Sequence, residues 1–227
     1  MRVYLSRFVC GAVEENLQRM ASEAERAARG EAELVVFPEL FLTGYRQLIP
    51  PVVARQHFAS LSRAFPSQLF CFGTFTEDGY NRLTLWHGGQ EVAQYDKVHL
   101  FLPNREDLLW REGTRYVAVK CSWGTVGLLT CNDVRFPEQA RSLVLSGGAN
   151  ILLAVAWWPW RRDHVWRTLL QARAMENASW VLGCCIAASI FADEPFAGAG
   201  NYAFDPVGTP ILPTEDTFYE LSLASPP

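Results

Sequence analysis

Apolar and polar residues alternate along this chain with two periods, one typical of strands and one typical of helices. Residues 34–37 and 151–156 are short, uninterrupted apolar runs, the pattern of strands buried on both faces. Residues 13–29 instead place apolar side chains on one helical face and stop at Gly30. The pattern therefore predicts a chain built from both strands and helices.

Read along the whole chain, these periodicities predict more strands than helices. Helices are expected at residues 13–29, 52–64, 137–145 and 162–178. Strands are expected at residues 2–8, 34–37, 69–76, 82–87, 91–95, 116–121, 125–130, 151–156, 181–188, 201–204 and 217–223. Irregular loops are expected at residues 101–114 and, as a mobile Gly/Ala-rich segment, at 192–200. Because so few helices cannot cover both faces of one wide sheet, two mixed sheets packed face to face with helices outside are predicted.

Composition and charge narrow the class of protein. Hydrophobic residues make up 49% of the 227 residues and charged residues 19%, which favours a single domain over residues 1–227 with a thick core. A net charge of −4 argues against binding to nucleic acid or to a membrane surface. Arg7 interrupts the apolar stretch that a signal peptide needs, and the apolar runs are too short to span a bilayer. We therefore expect a cytoplasmic protein.

Cys131 is the one cysteine whose position favours chemistry over packing. It directly follows the apolar strand that ends at Thr130, and Pro137 suits the first turn of the next helix. A residue at such a strand-to-helix corner is held rigidly at the edge of a sheet, where α/β proteins place nucleophiles. The other five cysteines show no metal-binding spacing.

Two charged residues, Glu39 and Lys97, also lie just beyond apolar strands. We expect these strands to end at one sheet edge, so that both side chains lie near Cys131. A thiol is mostly protonated at neutral pH, and a neighbouring carboxylate can remove its proton. A lysine can stabilise both the thiolate and a developing oxyanion. The three residue types therefore predict a hydrolase that uses a cysteine nucleophile.

The motifs around these residues resemble those of the nitrilase superfamily of carbon–nitrogen hydrolases. They read Phe-Pro-Glu-Leu with Leu-Thr-Gly-Tyr45, then Asp-Lys-Val-His-Leu-Phe101, and Thr-Cys-Asn-Asp-Val-Arg-Phe-Pro-Glu138. The resemblance covers most of the chain, and the three motifs occur in the family's order. A second glutamate of the family, in the pattern E-x-x-x-aromatic-x-x-G, is matched by Glu106, Trp110 and Gly113.

The resemblance implies an α/β fold, a four-layer α-β-β-α sandwich with two mixed β-sheets, and no cofactor. It also implies acyl transfer through a thioester, in which Glu39 is the base, Cys131 the nucleophile and water the final acceptor. Lys97 and the backbone N–H of Asn132 would hold the oxyanion, while Glu106 would orient Lys97 or the substrate. Relatives of this kind suggest a homodimer.

A narrower resemblance to the omega-amidase branch lies around Trp158-Pro159. That branch cleaves the terminal amide of short α-keto acids such as 2-oxoglutaramate. An acidic substrate needs a cationic anchor. The residues expected to bind the substrate are Trp157, Trp158, Arg161 and Arg162.

The chain departs from this branch in three places. Trp157 stands where the branch commonly has Asn, and its bulk is expected to narrow or reshape the acyl pocket. Ala199-Gly200-Asn201 stands where Gly-His-Ser is frequent, and the sequence ends soon after Leu223.

Other functions fit the same residues. A nitrile hydrolase or an N-carbamoyl hydrolase would use the same triad, and a non-catalytic relative could bind an amide without cleaving it. A Cys–His hydrolase would pair Cys131 with His99 or His164. These alternatives remain open at the level of sequence.

Overall fold

The computed structural model describes residues 1–191, 196 and 200–223. Its helices are α1 Val13–Arg29, α2 Pro51–Ala64, α3 Pro137–Leu145 and α4 Asp163–Asn177. Its strands are β1 Arg2–Leu5, β2 Val9–Cys10, β3 Leu34–Val36, β4 Leu69–Glu77, β5 Tyr80–His87, β6 Gln90–Asp96, β7 Ala118–Cys121, β8 Gly124–Thr130, β9 Ile151–Ala156, β10 Trp180–Cys185, β11 Ala188–Ser189, β12 Tyr202–Phe204, β13 Pro210–Ile211 and β14 Phe218–Glu220. Among these described residues, none of the helices has the length and apolarity needed to cross a bilayer.

Two six-stranded mixed sheets form the centre of the molecule. Their strand orders are β14-β1-β3-β4-β5-β6 and β13-β12-β10-β9-β8-β7. In the first sheet β1, β3 and β4 are parallel, and in the second β8, β9 and β10 are parallel; the remaining pairs are antiparallel. The parallel strands are apolar on both faces, as the sequence predicts for strands covered on both sides.

The four layers follow from two separate apolar cores. Between the sheets, inward-facing residues of both form one cluster, which includes Val3, Leu34, Leu85, Leu128, Leu153 and Leu182. On the outer faces, helices pack onto the alternate residues: Phe58 of α2 stacks on Phe72 of β4 at 4.2 Å between ring centroids, and Trp166 of α4 is fully buried. The predicted α-β-β-α sandwich is thus confirmed.

The helix bounds agree with the sequence prediction, whereas two predicted strands are interrupted. The strand predicted at residues 2–8 ends at Leu5, because the chain then leaves the first sheet. The next strand, β2, pairs with β11 in a separate two-stranded sheet. The same pairing divides the strand predicted at 181–188. The two-residue strand β13 was not predicted. Most of the predicted mobile loop at 192–200, including Ala199, lies outside the described residues.

The sheets bring four strand ends toward one site. Strands β3 and β6 run in the same direction in the first sheet, as β8 and β9 do in the second. Residues just beyond their carboxyl ends are Glu39, Lys97, Cys131 and Trp157. This arrangement is the usual location of ligand sites in α/β sheets.

Gly73 of β4 allows the segment that carries Glu39 to approach the sheet. A Cβ atom at Gly73 would lie 1.8 Å from the Pro38 carbonyl oxygen, so the glycine is required by space. The next residue, Thr74, accepts a hydrogen bond from the Leu40 N–H at 3.0 Å. The glutamate segment is therefore packed directly against β4.

We predict that Gly73→Ala lowers the free energy of unfolding by about 1–3 kcal/mol, because backbone atoms must move to admit the methyl group. Urea denaturation monitored by circular dichroism measures the change. Gly11→Ala is the matched control, because its Cβ would closely approach only the carboxylate end of the Glu15 side chain. Equal loss in both variants would contradict the prediction.

Candidate active site

Glu39 is fully buried, and each of its two carboxylate oxygens accepts at least one hydrogen bond. Oε1 accepts hydrogen bonds from Lys97 Nζ and Asn81 Nδ2, both at 2.9 Å. Oε2 accepts one from the backbone N–H of Trp157 at 2.8 Å. These donors replace the hydrogen bonds to water that a buried carboxylate loses.

Lys97 lies between two carboxylates at the end of β6. Besides contacting Glu39, its Nζ lies 3.1 Å from Oε1 and 2.9 Å from Oε2 of Glu106. Burial alone would lower the pKa of this lysine, but its interactions with Glu39, Cys131 and Glu106 outweigh burial and leave the pKa raised. Lys97 is therefore an ammonium group throughout the ordinary pH range.

Gly113, the last residue of the E-x-x-x-aromatic-x-x-G motif, is a position where only glycine fits. Its N–H donates to the Lys97 carbonyl at 2.8 Å. A Cβ at Gly113 would lie 2.1 Å from the Asp96 carbonyl oxygen. The loop can therefore pack along the lysine segment only with glycine at this place.

Glu106 is fixed from the side opposite Lys97. Its Oε1 accepts a hydrogen bond from the Tyr45 hydroxyl at 2.7 Å, and its Oε2 accepts one from the Phe101 N–H at 2.7 Å. Burial and the charges of Glu39 and Glu106 raise the pKa of Tyr45, so its hydroxyl stays a neutral donor. Glu106 is therefore placed to orient the lysine.

Cys131 begins a short 3-10 helix, Cys131–Arg135, directly after β8. Its φ of 50° is left-handed, an unusual conformation for a residue with a side chain, and such strain is concentrated at functional sites. Its Sγ lies 3.9 Å from the Trp157 carbonyl oxygen. Burial raises the pKa of the thiol, and so do the charges of Glu39 and Glu106; Lys97 opposes them. The resting thiol is therefore protonated and lies beside a carboxylate.

Asp133 joins the end of β6 to the Cys131 turn. Its Oδ2 accepts hydrogen bonds from the Thr130 N–H at 2.8 Å and the Tyr95 hydroxyl at 2.6 Å. Its Oδ1 accepts one from the His99 N–H and lies 2.9 Å from His99 Nδ1. One buried carboxylate thus fixes the geometry of two segments that meet at the site.

Asn132 adds a second connection between the same segments, because its Nδ2 donates to the Leu100 carbonyl at 3.1 Å. Its backbone N–H belongs to the first turn of the 3-10 helix, where such groups have no partner within the helix.

A narrow cleft opens beside the thiol. Its free volume is about 10 Å³, room for about one water molecule. It is lined by Tyr45, Phe101, Asn104, Cys131, Arg135, Trp157, Trp158 and Arg162.

Three of the four residues predicted to bind substrate line this cleft: Trp157, Trp158 and Arg162. Arg161 is exposed and does not belong to the lining. Successive residues of a 3-10 helix point about 120° apart. The helix Trp160–Arg162 therefore turns only one of its two arginines toward the cleft.

The two histidines of the alternative pairing lie elsewhere. His99 directs Nδ1 to Asp133 and stacks on Phe136 at 3.6 Å between ring centroids. His164 is exposed on α4. The ionisable groups that most affect the pKa of Cys131 are Glu39, Lys97 and Glu106.

Sequence reasoning missed several residues of the site. Tyr45, Asp133 and Arg135 belong to the recognised motifs, and that membership was a usable signal for each. Asn81 had no such signal, because it is a polar residue inside strand β5 and only the sheet pairing brings it to Glu39.

We predict that Asp133→Asn lowers the free energy of unfolding by about 1–3 kcal/mol, because the NH2 group of an amide cannot replace the carboxylate oxygen that accepts from one or more of three donors, the Thr130 N–H, the His99 N–H and the Tyr95 hydroxyl. Chemical denaturation of the purified variant measures the loss. Asp107→Asn makes the same change at a side chain that is 42% exposed and is expected to cost little. A similar, small effect of both substitutions would count against the bridging role of Asp133.

Comparison with known proteins agrees with this geometry. The family model of carbon-nitrogen hydrolases matches residues 5–194. Deaminated glutathione amidase of Synechocystis (strain PCC 6803) is 33% identical over 196 residues, covering 74% of this chain and 70% of that protein. 2-Oxoglutaramate amidase of Bacillus subtilis (strain 168) is 30% identical over 209 residues, covering 87% and 79%. Omega-amidase YafV of Escherichia coli (strain K12) is 33% identical over 159 residues, covering 67% and 61%.

Comparison with solved structures shows the same fold. A member of branch 10 of the nitrilase superfamily from Saccharomyces cerevisiae has a TM-score of 0.85 at 24% identity, covering 97% of this chain and 89% of that one. The family match extends over most of the sequence, and the fold agrees. The chain therefore belongs to the carbon–nitrogen hydrolase family.

Proposed function

We propose that this protein is an amidohydrolase that releases ammonia from a small linear amide carrying an acid group, such as the omega-amide of a short α-keto acid. The observation that carries the proposal is the buried cluster in which Lys97 contacts Glu39 and Glu106 beside the Cys131 thiol. Buried charges cost free energy, and clusters of this kind are concentrated in active sites.

In the first half-reaction, Glu39 accepts the thiol proton while Cys131 Sγ attacks the amide carbon. The carbonyl oxygen gains negative charge, which Lys97 Nζ and the Asn132 N–H stabilise. Glu39 then gives its proton to the departing nitrogen, so that the C–N bond breaks and ammonia leaves. The acyl group remains as a thioester on Cys131.

In the second half-reaction, Glu39 removes a proton from a water molecule that attacks the thioester. The carbon–sulfur bond breaks, and the proton held by Glu39 returns to Sγ. Glu106 contributes by holding Lys97 in position, since its two oxygens contact Nζ and are themselves fixed by Tyr45 and Phe101. The products are a carboxylic acid and ammonia.

The substrate class is supported by the charge of the cleft. Arg162 and Arg135 both line it, with guanidinium carbons 5.1 Å from the Phe101 ring and 4.8 Å from the Trp158 ring, respectively. An arginine held on an aromatic face is well suited to a carboxylate. The names of the omega-amidase and 2-oxoglutaramate amidase relatives favour the same class.

We predict that Cys131→Ala abolishes ammonia release, a loss of at least about 1,000-fold, because the residual site has no nucleophile. The assay screens keto-acid amides, simple amides, N-carbamoyl compounds and nitriles. Cys121→Ala changes a half-buried cysteine on β7 and should retain activity. Undiminished activity of folded Cys131→Ala would refute the nucleophile. Turnover of nitriles alone would favour a nitrile hydrolase, and turnover of N-carbamoyl compounds alone would favour an N-carbamoyl hydrolase. Turnover of none of these compounds would favour a non-catalytic binding protein.

We also predict that Arg162→Ala and Arg135→Ala each lower kcat/KM for an acidic amide by roughly 10- to 100-fold, mainly through KM, because a charge-assisted hydrogen bond is lost. A neutral amide of equal length should show little change. Arg161→Ala distinguishes the two neighbouring arginines and is expected to keep KM. If these substitutions lower kcat/KM equally for the acidic and the neutral amide, the arginines do not bind the substrate carboxylate.

A further inference from the structure

Trp157 holds the catalytic groups with its backbone. Its N–H donates to Glu39 Oε2 at 2.8 Å, and its carbonyl oxygen lies 3.9 Å from Cys131 Sγ. Both contacts are independent of side-chain identity. Any residue at this position could make them, so they do not explain an indole.

The indole of Trp157 is held separately, next to the nucleophile. It lines the cleft with Cys131 and packs edge-on against Tyr45 at 5.8 Å and Phe196 at 5.3 Å between ring centroids. Gly44 has a left-handed φ of 56°, and a Cβ there would lie 3.0 Å from the indole. The neighbouring backbone is therefore shaped to leave room for this ring.

The consequence is a very small space beside the thiol. The cleft has a free volume of about 10 Å³, whereas pockets for organic ligands usually measure about 300–1,000 Å³. Among the polar residues of the lining, Asn104 and Arg135 are exposed and Arg162 is half-buried. The indole of Trp157 is instead packed between the Tyr45 and Phe196 rings and against Gly44, directly beside the thiol.

We propose that the Trp157 side chain is the size-selecting wall of the substrate site. It admits short, unbranched groups next to Cys131 and excludes branched or aromatic ones, while the backbone of the same residue performs the catalytic contacts. The inference rests on the proposed function for the identity of the substrate. The size limit set by Trp157 can be tested without a substrate, because that test requires only that the Cys131 thiol reacts with electrophiles.

The test compares two alkylating reagents of different size, iodoacetamide and N-phenylmaleimide, on the full chain. The rate of modification of Cys131 is followed by peptide mass spectrometry, which separates it from the other cysteines. Because both reagents react with the same thiolate, the ratio of their rates cancels changes in the thiol pKa and isolates steric access.

Trp157→Ala should raise the ratio of N-phenylmaleimide to iodoacetamide rates at Cys131 by at least about tenfold, the scale of discrimination by a hydrophobic wall. Trp157→Phe should give a smaller rise. Trp160→Ala is the matched control, because Trp160 is 56% exposed and does not belong to the cleft lining. Its ratio should equal that of the unmodified protein.

The proposal is wrong if the ratio of the two rates is unchanged in folded Trp157→Ala. It is also wrong if neither reagent modifies Cys131 in that variant. If the alanine variant does not fold, Trp157→Leu takes its place with the same expectation. A second assay compares linear with branched or aromatic amides, for which Trp157→Ala should shift the kcat/KM ratio toward the bulky amide.

The outcomes of the wall and of the proposed function are distinguishable. A raised alkylation ratio without ammonia release from any substrate supports the wall and refutes the amidase. Ammonia release by the unmodified protein with an unchanged alkylation ratio supports the amidase and refutes the wall.

Discussion

The contact on which the rest of the site depends is the ammonium of Lys97, buried between the carboxylates of Glu39 and Glu106. Three fully buried charges cannot be held by mutual attraction alone, because the loss of hydration exceeds the Coulomb gain unless further hydrogen bonds replace the water. Those bonds come from Asn81 and the Trp157 N–H on one carboxylate, and from Tyr45 and the Phe101 N–H on the other. Four separate segments are thereby fixed by one cation.

The fold makes this cluster possible because Glu39 and Lys97 lie just beyond strand ends, and the short 3-10 helix Glu106–Leu108 places Glu106 against Lys97. The strands supply rigid anchors, and the short turns after them supply the left-handed conformations at Leu40 and Cys131. Such conformations cost free energy in residues with side chains, so the surrounding packing must hold them. Gly73 and the Asp133 hydrogen bonds do this at the glutamate and cysteine turns, respectively.

The sequence identified Glu39 and Cys131 because each follows an apolar strand, and Lys97 because it follows a predicted strand of mixed polarity. Glu106 was indicated only by the family motif. All of these signals are local. The sequence also indicated the two-sheet architecture from the small number of helices. It could not find Asn81, whose role arises from strand pairing, nor decide between Arg161 and Arg162, whose directions depend on the pitch of one 3-10 turn. The break at Ser6 was equally hidden, because it follows from the long-range pairing of β2 with β11.

The protonation of the resting Cys131 thiol affects the charge balance of the buried cluster. In the proposed mechanism, transfer of the Cys131 proton to the Glu39 carboxylate only moves a negative charge from oxygen to sulfur. No new net charge forms in a region that has lost its water, so the step avoids the large cost of creating one there. Lys97 interacts with both the Glu39 and the Cys131 charges, so it attracts the migrating charge before and after the transfer. The raised pKa of the thiol is therefore compatible with the proposed mechanism, in which Glu39, a member of the same charged cluster, would accept the proton.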